Sequence, residues 1–299
     1  MSVKPYLLSS TQSAPDEYPY RRVWRTAWLE AIVLVAITSA ITLGSRIVPL
    51  EFSQNNERLF GIAFALLPLG LWVVISYRAE RAARMSRSRL MTVVILGGLA
   101  ASGVAIPVID QFFVSEEWLT NASGITRIVG YTLSVGLVHE FLKYAVVRYS
   151  VWRDLIETRQ DAVAYSLACG VGFGTALTVH FALNNTLHPA AAALRITEIF
   201  TAQVAIAPIM GYVLYEMRNP KVFTLLPAFG LMIASLFNAL SIVIRAGLIV
   251  SGISRTSTSN NALFGLGMVV FIVVVLYSAL GFIIRSADER DILRSGLGG

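Results

Sequence analysis

The sequence predicts an all-α fold: a polytopic membrane helix bundle with about eight transmembrane helices and both termini in the cytoplasm. Of the 299 residues, 56% are hydrophobic and only 14% are charged, and the mean hydropathy is +0.67. A soluble globular domain carries roughly 25% charged residues. The composition therefore excludes a soluble enzyme and a disordered protein, and it indicates an integral membrane protein.

Eight apolar stretches set the number of predicted helices. Most are long enough to cross a hydrocarbon core of about 30 Å, which takes about 20 helical residues. The alternating pattern of a β-barrel is absent, so we expect helices to satisfy the backbone polar groups within the bilayer. In chain order, the stretches cover residues 27–48, 59–77, 90–113, 124–152, 162–188, 196–216, 222–249 and 263–284.

Four segments divide the chain. Residues 1–26 lack the apolar region of a signal peptide and are predicted to be a cytoplasmic N-terminal tail. Residues 27–123 form a three-helix membrane part with almost no ionisable residue in the middle of its helices. Residues 124–249 form a four-helix core that carries the polar chemistry. Residues 250–299 supply an outer loop, the last transmembrane helix and a cytoplasmic C-terminus.

The basic residues predict the orientation. Seventeen of the 24 lysines and arginines lie in segments on one side of the predicted spans, and six lie on the other side. The positive-inside rule places the richer side in the cytoplasm. The net charge of +6 then reflects membrane sidedness, and we expect no nucleic-acid partner. The 78–89 loop carries five arginines, which indicate either a surface helix on anionic lipid or a plain topology signal.

Polar side chains in four predicted spans lie at a similar depth. At about 1.5 Å per helical residue, His139 and Gln203 lie about 20 Å above the inner surface, and His180 and Asn238 lie about 24 Å above it. Ionisable residues at membrane depth are costly and mark function by default. The shared depth therefore predicts one polar pocket in the outer half of the bilayer.

Each of these residues also has a purely structural explanation. Glu140 and Lys143, three positions apart on one helix, neutralise each other. His180 then packs as a neutral, hydrogen-bonded residue. Gln203 and Asn238 then make ordinary interhelical hydrogen bonds, worth about 1 kcal/mol each. The one cysteine, Cys169, lies in an apolar run and excludes an intrachain disulfide and a cysteine-based metal cluster.

The segment 124–245 resembles the PrsW-type intramembrane proteases, which are related to the CAAX-processing and bacteriocin-immunity membrane proteases. The first family motif, Glu-Glu-x-x-Lys/Arg, corresponds to residues 139–143, which read His-Glu-Phe-Leu-Lys. An Asp-Gly-like start followed by a tyrosine corresponds to residues 161–165, which read Asp-Ala-Val-Ala-Tyr. A glycine- and phenylalanine-rich segment ending in Glu-Asn corresponds to residues 170–181 with His180 at the glutamate position.

Two further family motifs are altered in this chain. Gln203 stands where a histidine precedes a Gly-Tyr pair, here Gly211 and Tyr212. The last motif, His-x-x-x-Asp/Asn, retains Asn238 but has Ala234 at the histidine position. Among the family's catalytic positions, Glu140, Lys143 and Asn238 are unchanged. The resemblance implies an intramembrane peptidase in the plasma membrane of a bacterium.

The retained residues allow two forms of peptide hydrolysis. With a metal, His139 and His180 bind one divalent ion such as zinc, and Glu140 is either the third ligand of a two-histidine-plus-carboxylate set or the general base. Without a metal, Glu140 activates water as a general base while His180 and Asn238 hold the developing oxyanion. In both forms, Lys143 orients Glu140.

Three functional hypotheses remain open from the sequence. The first is an intramembrane peptidase that cleaves a single-span membrane protein near the outer membrane surface. The second is a catalytically inactive relative that binds a membrane protein as a chaperone or complex subunit. The third is a pathway for a small solute or ion, lined by the same polar residues; no inverted repeat supports it.

Overall fold

The computed structural model describes residues 17–47, 52–80, 87–119, 121–218, 223–250 and 258–296. These residues form helices and short connections, with no strand among them, which confirms the all-α prediction. The helices are α1 (Glu17–Ile47), α2 (Gln54–Glu80), α3 (Arg87–Ala100), α4 (Ser115–Leu119), α5 (Gly124–Tyr131), α6 (Leu137–Ser150), α7 (Trp152–Leu155), α8 (Arg159–Asn184), α9 (Pro189–Glu216), α10 (Leu226–Val250) and α11 (Thr258–Gly296).

Three π-helical turns extend these helices. Two of them, Ala101–Ala105 and Val108–Phe113, follow α3 and lengthen it at its C-terminal end. The third, Thr132–Gly136, joins α5 to α6, and in it the backbone N–H of Leu137 donates to the carbonyl of Thr132. Gly124–Ser150 is therefore one continuous helical rod. Within this rod, the π turn Thr132–Gly136 contains one more residue than an α-helical turn does.

Seven helices in the described part of the chain are long and apolar enough to cross a membrane. They are Val23–Ile47, Gln54–Ser76, Arg87–Phe113, Arg159–Asn184, Pro189–Glu216, Leu226–Ile244 and Gly265–Arg290. This confirms a polytopic membrane helix bundle. The predicted fourth span corresponds to the Gly124–Ser150 rod, which is not one of the seven.

The Gly124–Ser150 rod nevertheless runs through the bundle beside α8 and in the opposite direction. The His139 ring packs edge-on against Phe173 with centroids 5.1 Å apart. One turn further along the rod, the carbonyl of Lys143 lies 3.8 Å from the Cys169 sulfur. Its antiparallel course beside α8 is compatible with an eighth span, and the number of eight spans with both termini on one face stays a prediction. Which face is cytoplasmic remains a prediction from the arginines.

Helices α8 and α9 form the interior of the bundle. Their most apolar stretches are 83% and 89% buried, whereas the corresponding stretches of the other five apolar helices are 28–39% buried. Close packing against α3 depends on glycine: a Cβ on Gly172 would collide with the Val94 carbonyl, and one on Gly97 with the Cys169 carbonyl. Small residues allow this backbone approach in membrane helices.

The helix ends refine the predicted boundaries. Helix α9 begins at Pro189 instead of residue 196, because proline suits the first helical position and a ring nitrogen of His188 accepts from the N–H of Ala190 at 3.4 Å. Helix α1 begins at Glu17, ten residues before the first predicted span. Residues 81–86 and the side chain of Arg78 lie outside the described residues, and the lipid contact of the 78–89 loop stays a prediction.

Polar contacts fasten the bundle at the end where α8 begins. Thr158 and Asp161 form a capping box, in which each side chain accepts from the other residue's backbone N–H. Arg159 forms ion pairs with Glu216 on α9, at 2.8 Å, and with Asp288 on α11. These contacts tie α8, α9 and α11 together near one surface, away from the polar residues deeper in the bundle.

Candidate functional site

Five of the six residues singled out from the sequence meet at one point inside the bundle. Helix α6 supplies His139, Glu140 and Lys143, helix α9 supplies Gln203 and helix α10 supplies Asn238. Each side chain is 5% exposed or less, and Glu140 and Asn238 are fully buried. We call these five residues the polar cluster.

The ion pair between Glu140 and Lys143 is the centre of the polar cluster. The Lys143 Nζ lies 2.7 Å from Glu140 Oε1, across one turn of α6. The same ammonium donates to the side-chain Oε1 of Gln203 at 3.0 Å and to the Gln203 backbone carbonyl at 3.3 Å. An ammonium has three protons to donate, and these three oxygens can take all of them. The buried positive charge is therefore fully paired, and it fastens α6 to α9.

Asn238 connects α10 to the same ion pair. Its Nδ2 donates to Glu140 Oε1 at 2.8 Å and lies 3.5 Å from Gln203 Oε1. On the other side of the ion pair, Gln203 Nε2 lies 3.4 Å from His139 Nδ1. The Phe173 ring on α8 borders the polar cluster, with Lys143 Nζ 5.6 Å from its centroid. Side chains of four helices therefore surround the Glu140 carboxylate.

Two acceptor atoms of the polar cluster have no protein partner. Glu140 Oε2 and Asn238 Oδ1 are buried, and no donor in the described part of the chain reaches either of them. Buried polar atoms are satisfied in the great majority of cases, and those that lack a protein partner often bind water. One oxygen of the carboxylate is therefore held by Lys143 and Asn238, while the other is left to interact with a bound molecule.

Ser235 belongs to this region, although the sequence interpretation did not include it among the candidate site residues. It lies one turn before Asn238 on α10, is fully buried, and its hydroxyl has no partner among the described residues. The available signal was the three-residue spacing from Asn238, which places both side chains on one face of a helix. A lone serine in an apolar helix carries little information without that spacing.

The π turn Thr132–Gly136 explains why Glu140 faces inwards. In an uninterrupted α-helix, residues seven apart lie within about 20° of each other, so Glu140 would share the lipid-exposed face of Leu133. Instead, Phe141 continues that face, with 52% exposure against 51% for Leu133, while Glu140 is fully buried. The extra residue in the π turn therefore shifts the lipid-exposed face by one position in the sequence, from Glu140 to Phe141.

The polar cluster lies near the middle of its helices. Gln203 is near the midpoint of the 28-residue α9, and Asn238 is at the midpoint of the 25-residue α10. The sequence interpretation placed the pocket in the outer half of the bilayer. The helix ends put it at mid-height within the bundle, because α9 begins at Pro189 and α10 extends to Val250, and its depth in the bilayer stays a prediction. The space beside Lys143, Val147 and Ser166 is too narrow for a water-sized sphere.

His180 does not belong to the polar cluster, so the structure gives no support to its predicted role as an oxyanion donor and places it away from the other predicted metal ligands. Its side chain is 41% exposed, and its Nε2 lies 3.4 Å from Asp110 Oδ2. His180 follows Phe173, the α8 residue that contacts His139, by seven positions, or about 10 Å along the helix. The Asn184 amide also contacts its ring, at 3.2 Å.

The error came from the reference levels used to count depth. The predicted depths take Trp152 as the inner surface for His139 and Ala164 as the inner surface for His180, and so treat these two reference residues as lying at the same height. In the bundle, Cys169 lies level with Lys143, which puts Ala164 about one turn above Trp152. Counting from Ala164 therefore understated the height of His180 relative to His139.

The predicted metal site is wrong for the same reason. No group of three histidine, cysteine, aspartate or glutamate side chains in the described residues is placed to hold a metal ion. His139 and Glu140 are near one another, but His180 is too far along α8 to complete the set. The residues present do not fit zinc, and no step of the chemistry below uses a metal.

We predict that His180→Ala has little effect on stability. An exposed ion pair such as His180–Asp110 contributes about 0–1 kcal/mol, so the free energy of unfolding in mixed micelles should change by no more than that. The matched variant is His139→Ala, which removes a buried ring packed on Phe173 and should have the larger effect. Stoichiometric zinc that is lost from the His180→Ala protein would contradict the assignment.

Comparison with known proteins adds no relative. No protein-family model matches the sequence, and searches of curated proteins and of solved structures found no match. The fold and the polar cluster define an integral membrane protein, built as a helical bundle with a buried carboxylate–ammonium pair at its centre.

Proposed function

We propose that this protein is an intramembrane peptidase, as its resemblance to the PrsW-type proteases suggests, and that Glu140 is the general base. The observation that carries the proposal is the unequal environment of the two carboxylate oxygens. Oε1 accepts from Lys143 and Asn238, while Oε2 has no donor among the residues that the structure describes. A general base needs this arrangement, since one oxygen fixes the side chain and the other takes the proton.

The two unsatisfied acceptors favour a bound water with a defined orientation. Glu140 Oε2 and Asn238 Oδ1 belong to residues joined by a hydrogen bond of 2.8 Å. A water between them donates one proton to each, which leaves an oxygen lone pair directed away from both. That lone pair is the nucleophile needed to attack a peptide carbonyl.

The proposed reaction balances without a metal or a cofactor. Glu140 removes a proton from water as the water oxygen bonds to the carbonyl carbon. The Ser235 hydroxyl and the Lys143 ammonium stabilise the oxyanion. To do so, the ammonium gives up its hydrogen bond to one Gln203 oxygen and donates to the substrate oxygen instead. When the tetrahedral intermediate collapses, Glu140 returns the proton to the leaving nitrogen. The products are a new carboxyl terminus and a new amino terminus.

The position of the polar cluster suggests where a substrate is cut. A bond that reaches Glu140 lies near the middle of the bundle, so we propose cleavage near mid-membrane instead of the outer surface. A helical substrate must unwind there, because a helix hydrogen-bonds its own carbonyls and shields them. We also propose a bacterial plasma membrane with both termini cytoplasmic, on the basis of the arginine distribution.

A second candidate function is that of an inactive relative that binds a membrane protein as a complex subunit. The complete pairing of Lys143 and the absence of room for water beside it favour this alternative. A buried polar cluster whose charges are fully paired can have a purely structural role, in which it orients the helices and takes no part in catalysis. Cleavage assays distinguish the two functions.

The test is hydrolysis of tagged single-span reporters whose helices carry a glycine pair at mid-span, in vesicles containing the purified protein. In ¹⁸O-labelled water, the new carboxyl terminus should acquire one labelled oxygen. We predict that Glu140→Gln lowers the rate at least about 100-fold, the lower range for loss of a general base. Glutamine keeps the size of the side chain and an acceptor for Lys143 but leaves the buried ammonium without its counter-ion, so the folded fraction is measured and the cleavage rate is expressed per folded molecule.

The matched control is Glu157→Gln, which makes the same chemical change at an exposed position and should leave cleavage unaltered. Unchanged cleavage by the Glu140→Gln protein would remove Glu140 from the mechanism. If the wild-type protein cuts no reporter, the peptidase proposal is rejected in favour of the inactive-subunit alternative.

A further inference from the structure

A second buried carboxyl group lies outside the polar cluster, on α1. The Glu30 side chain is 4% exposed, and its Oε1 is buried with no hydrogen-bond partner among the described residues. None of the ion pairs in the described part of the chain includes it. Tyr277 on α11 is the titratable group close enough to interact with its charge, whereas residues 59–76 of α2 and 199–211 of α9 include no titratable side chain.

Helix α1 runs antiparallel to α9 and α11. Both α9 and α11 pair with Arg159 near their C-terminal ends, so they point in the same direction. Three contacts set α1 against them: Thr38 with Thr197, Glu198 with Gly265, and Trp24 with Tyr277. Earlier residues of α1 therefore lie beside later residues of the other two helices.

Glu30 lies near the mid-height of the bundle. The hydroxyls of Thr38 and Thr197 are 2.6 Å apart, which gives a common level for α1 and α9. Glu30 precedes Thr38 by eight residues, about 12 Å along its helix, and Gln203 of the polar cluster follows Thr197 by six residues, about 9 Å. Because the helices are antiparallel, Glu30 is within about 3 Å of the height of Gln203. An uncompensated carboxylate in such an interior is costly, whereas the neutral acid is not.

Another polar atom without a partner lies between Glu30 and the Thr38–Thr197 contact. Thr201 follows Thr197 by four residues, so it lies on the same face of α9, about 6 Å closer to the level of Glu30. Its hydroxyl is buried and has no hydrogen-bond partner among the described residues. Buried polar atoms of this kind often bind water. A water between the Thr201 hydroxyl and Glu30 Oε1 would continue the line of hydroxyls down to the carboxyl group.

The line of hydroxyls leads towards the surface at the N-terminal end of α9. Glu198, next to Thr197, accepts through its Oε2 from Arg195 at 3.3 Å. Glu198 is 2% exposed, whereas Arg195 is 26% exposed. Each threonine hydroxyl can both donate and accept a hydrogen bond. We call Thr38, Thr197 and Thr201 the threonine row.

We propose that Glu30 is a proton-binding site inside the bundle and that the threonine row is the path by which the proton reaches it. One proton adds to the carboxylate and removes its charge, which relieves the cost of burying an unpaired anion. Divalent cations take about six or more oxygen ligands, and Glu30 supplies a single carboxylate. The site is independent of the polar cluster, because Gln203 follows Thr201 by two residues and so points to the opposite side of α9.

Infrared spectroscopy of the protein in vesicles near neutral pH detects the bound proton. The wild-type spectrum minus the Glu30→Gln spectrum should contain the C=O stretching band of a protonated carboxylic acid, and this band should shift in D₂O. Glutamine matches the neutral acid in size, so the Glu30→Gln protein should unfold at the same temperature as the wild type. The control Glu157→Gln, at an exposed position, should remove carboxylate bands only.

The path is tested by the rate at which the acid band shifts after mixing with D₂O. Thr201→Val removes the hydroxyl but keeps a β-branched side chain, and it should slow the shift about tenfold, as expected for the loss of one hydrogen bond. The matched control is Thr175→Val on α8. Its hydroxyl is also buried but donates to the Val171 carbonyl, and the shift should keep the wild-type rate.

Each part of the inference has a result that overturns it. A wild-type spectrum without the acid band rejects the proton site. A band that appears only when choline replaces sodium in the buffer assigns a sodium ion to Glu30 in place of the proton. Equal rates for Thr201→Val and the wild type reject the threonine row as the path. None of these measurements uses cleavage, so they are independent of the peptidase proposal.

Discussion

Replacing Lys143 with methionine is expected to lower the free energy of unfolding by about 3–5 kcal/mol, the usual effect of breaking a buried ion pair. The substitution removes the ammonium that Glu140 Oε1 and two oxygens of Gln203 accept from. The Glu140 carboxylate is fully buried, so it would remain in the bundle interior without a compensating charge. Methionine fills most of the lysine volume, which makes charge and hydrogen bonding the main loss.

The double variant Glu140→Gln/Lys143→Met identifies the cause. It removes both charges, so much of the lost stability should return. Arg58→Met is a control that removes an exposed cation near the start of α2, and it should change stability by less than about 1 kcal/mol. Unfolding in mixed micelles with increasing denaturing detergent measures all three. A single variant as stable as the wild type would show that the ion pair does not fasten α6 to α9.

Inserting one alanine after Gly136, directly past the π turn, is expected to destabilise the protein by about 5 kcal/mol or more. The π turn already takes up one extra residue between α5 and α6, and a second extra residue has no such turn to take it up. With the outer half held by its neighbours, the inner half would rotate by about 100° and carry Glu140 towards the lipid. Charged side chains at the centre of a membrane helix cost about 2.5–3.5 kcal/mol each on insertion scales, and the bonds to Gln203 and Asn238 would also be lost.

Two variants test whether the rotation of the inner half is the cause. Deleting Leu133 from the insertion protein returns the residue count between α5 and α6 to that of the wild type and should recover folding. Leu133→Ala removes only a lipid-exposed side chain and should change stability by less than about 1 kcal/mol. Protein accumulation in the membrane and thermal unfolding are the readouts. An insertion protein that folds normally would refute the role of the π turn.

The polar cluster could be predicted in part because it consists of residues that are costly in a bilayer. Glu140, Lys143, Gln203 and Asn238 stood out as ionisable or amide side chains within apolar helices, and the structure brings them together. The same rule wrongly included His180, whose position near the end of α8 gives it access to the surface and to Asp110. It also did not include Ser235 among the candidate site residues, because a hydroxyl in an apolar helix is common and has many structural explanations.

The apolar stretches, the helical period and the distribution of basic residues were enough to predict a membrane helix bundle, nearly all of its helices and the residues of the polar cluster. These features depend on residues close together in the chain, so the sequence contains them directly. The height and rotation of each helix depend instead on its neighbours. Gly97 and Gly172 set how deeply α3 and α8 interlock, and the π turn sets the direction in which Glu140 points. Only the packed bundle could exclude His180 and include Ser235, because the 3.6-residue period relates side chains within one helix and carries no information about the height of the next.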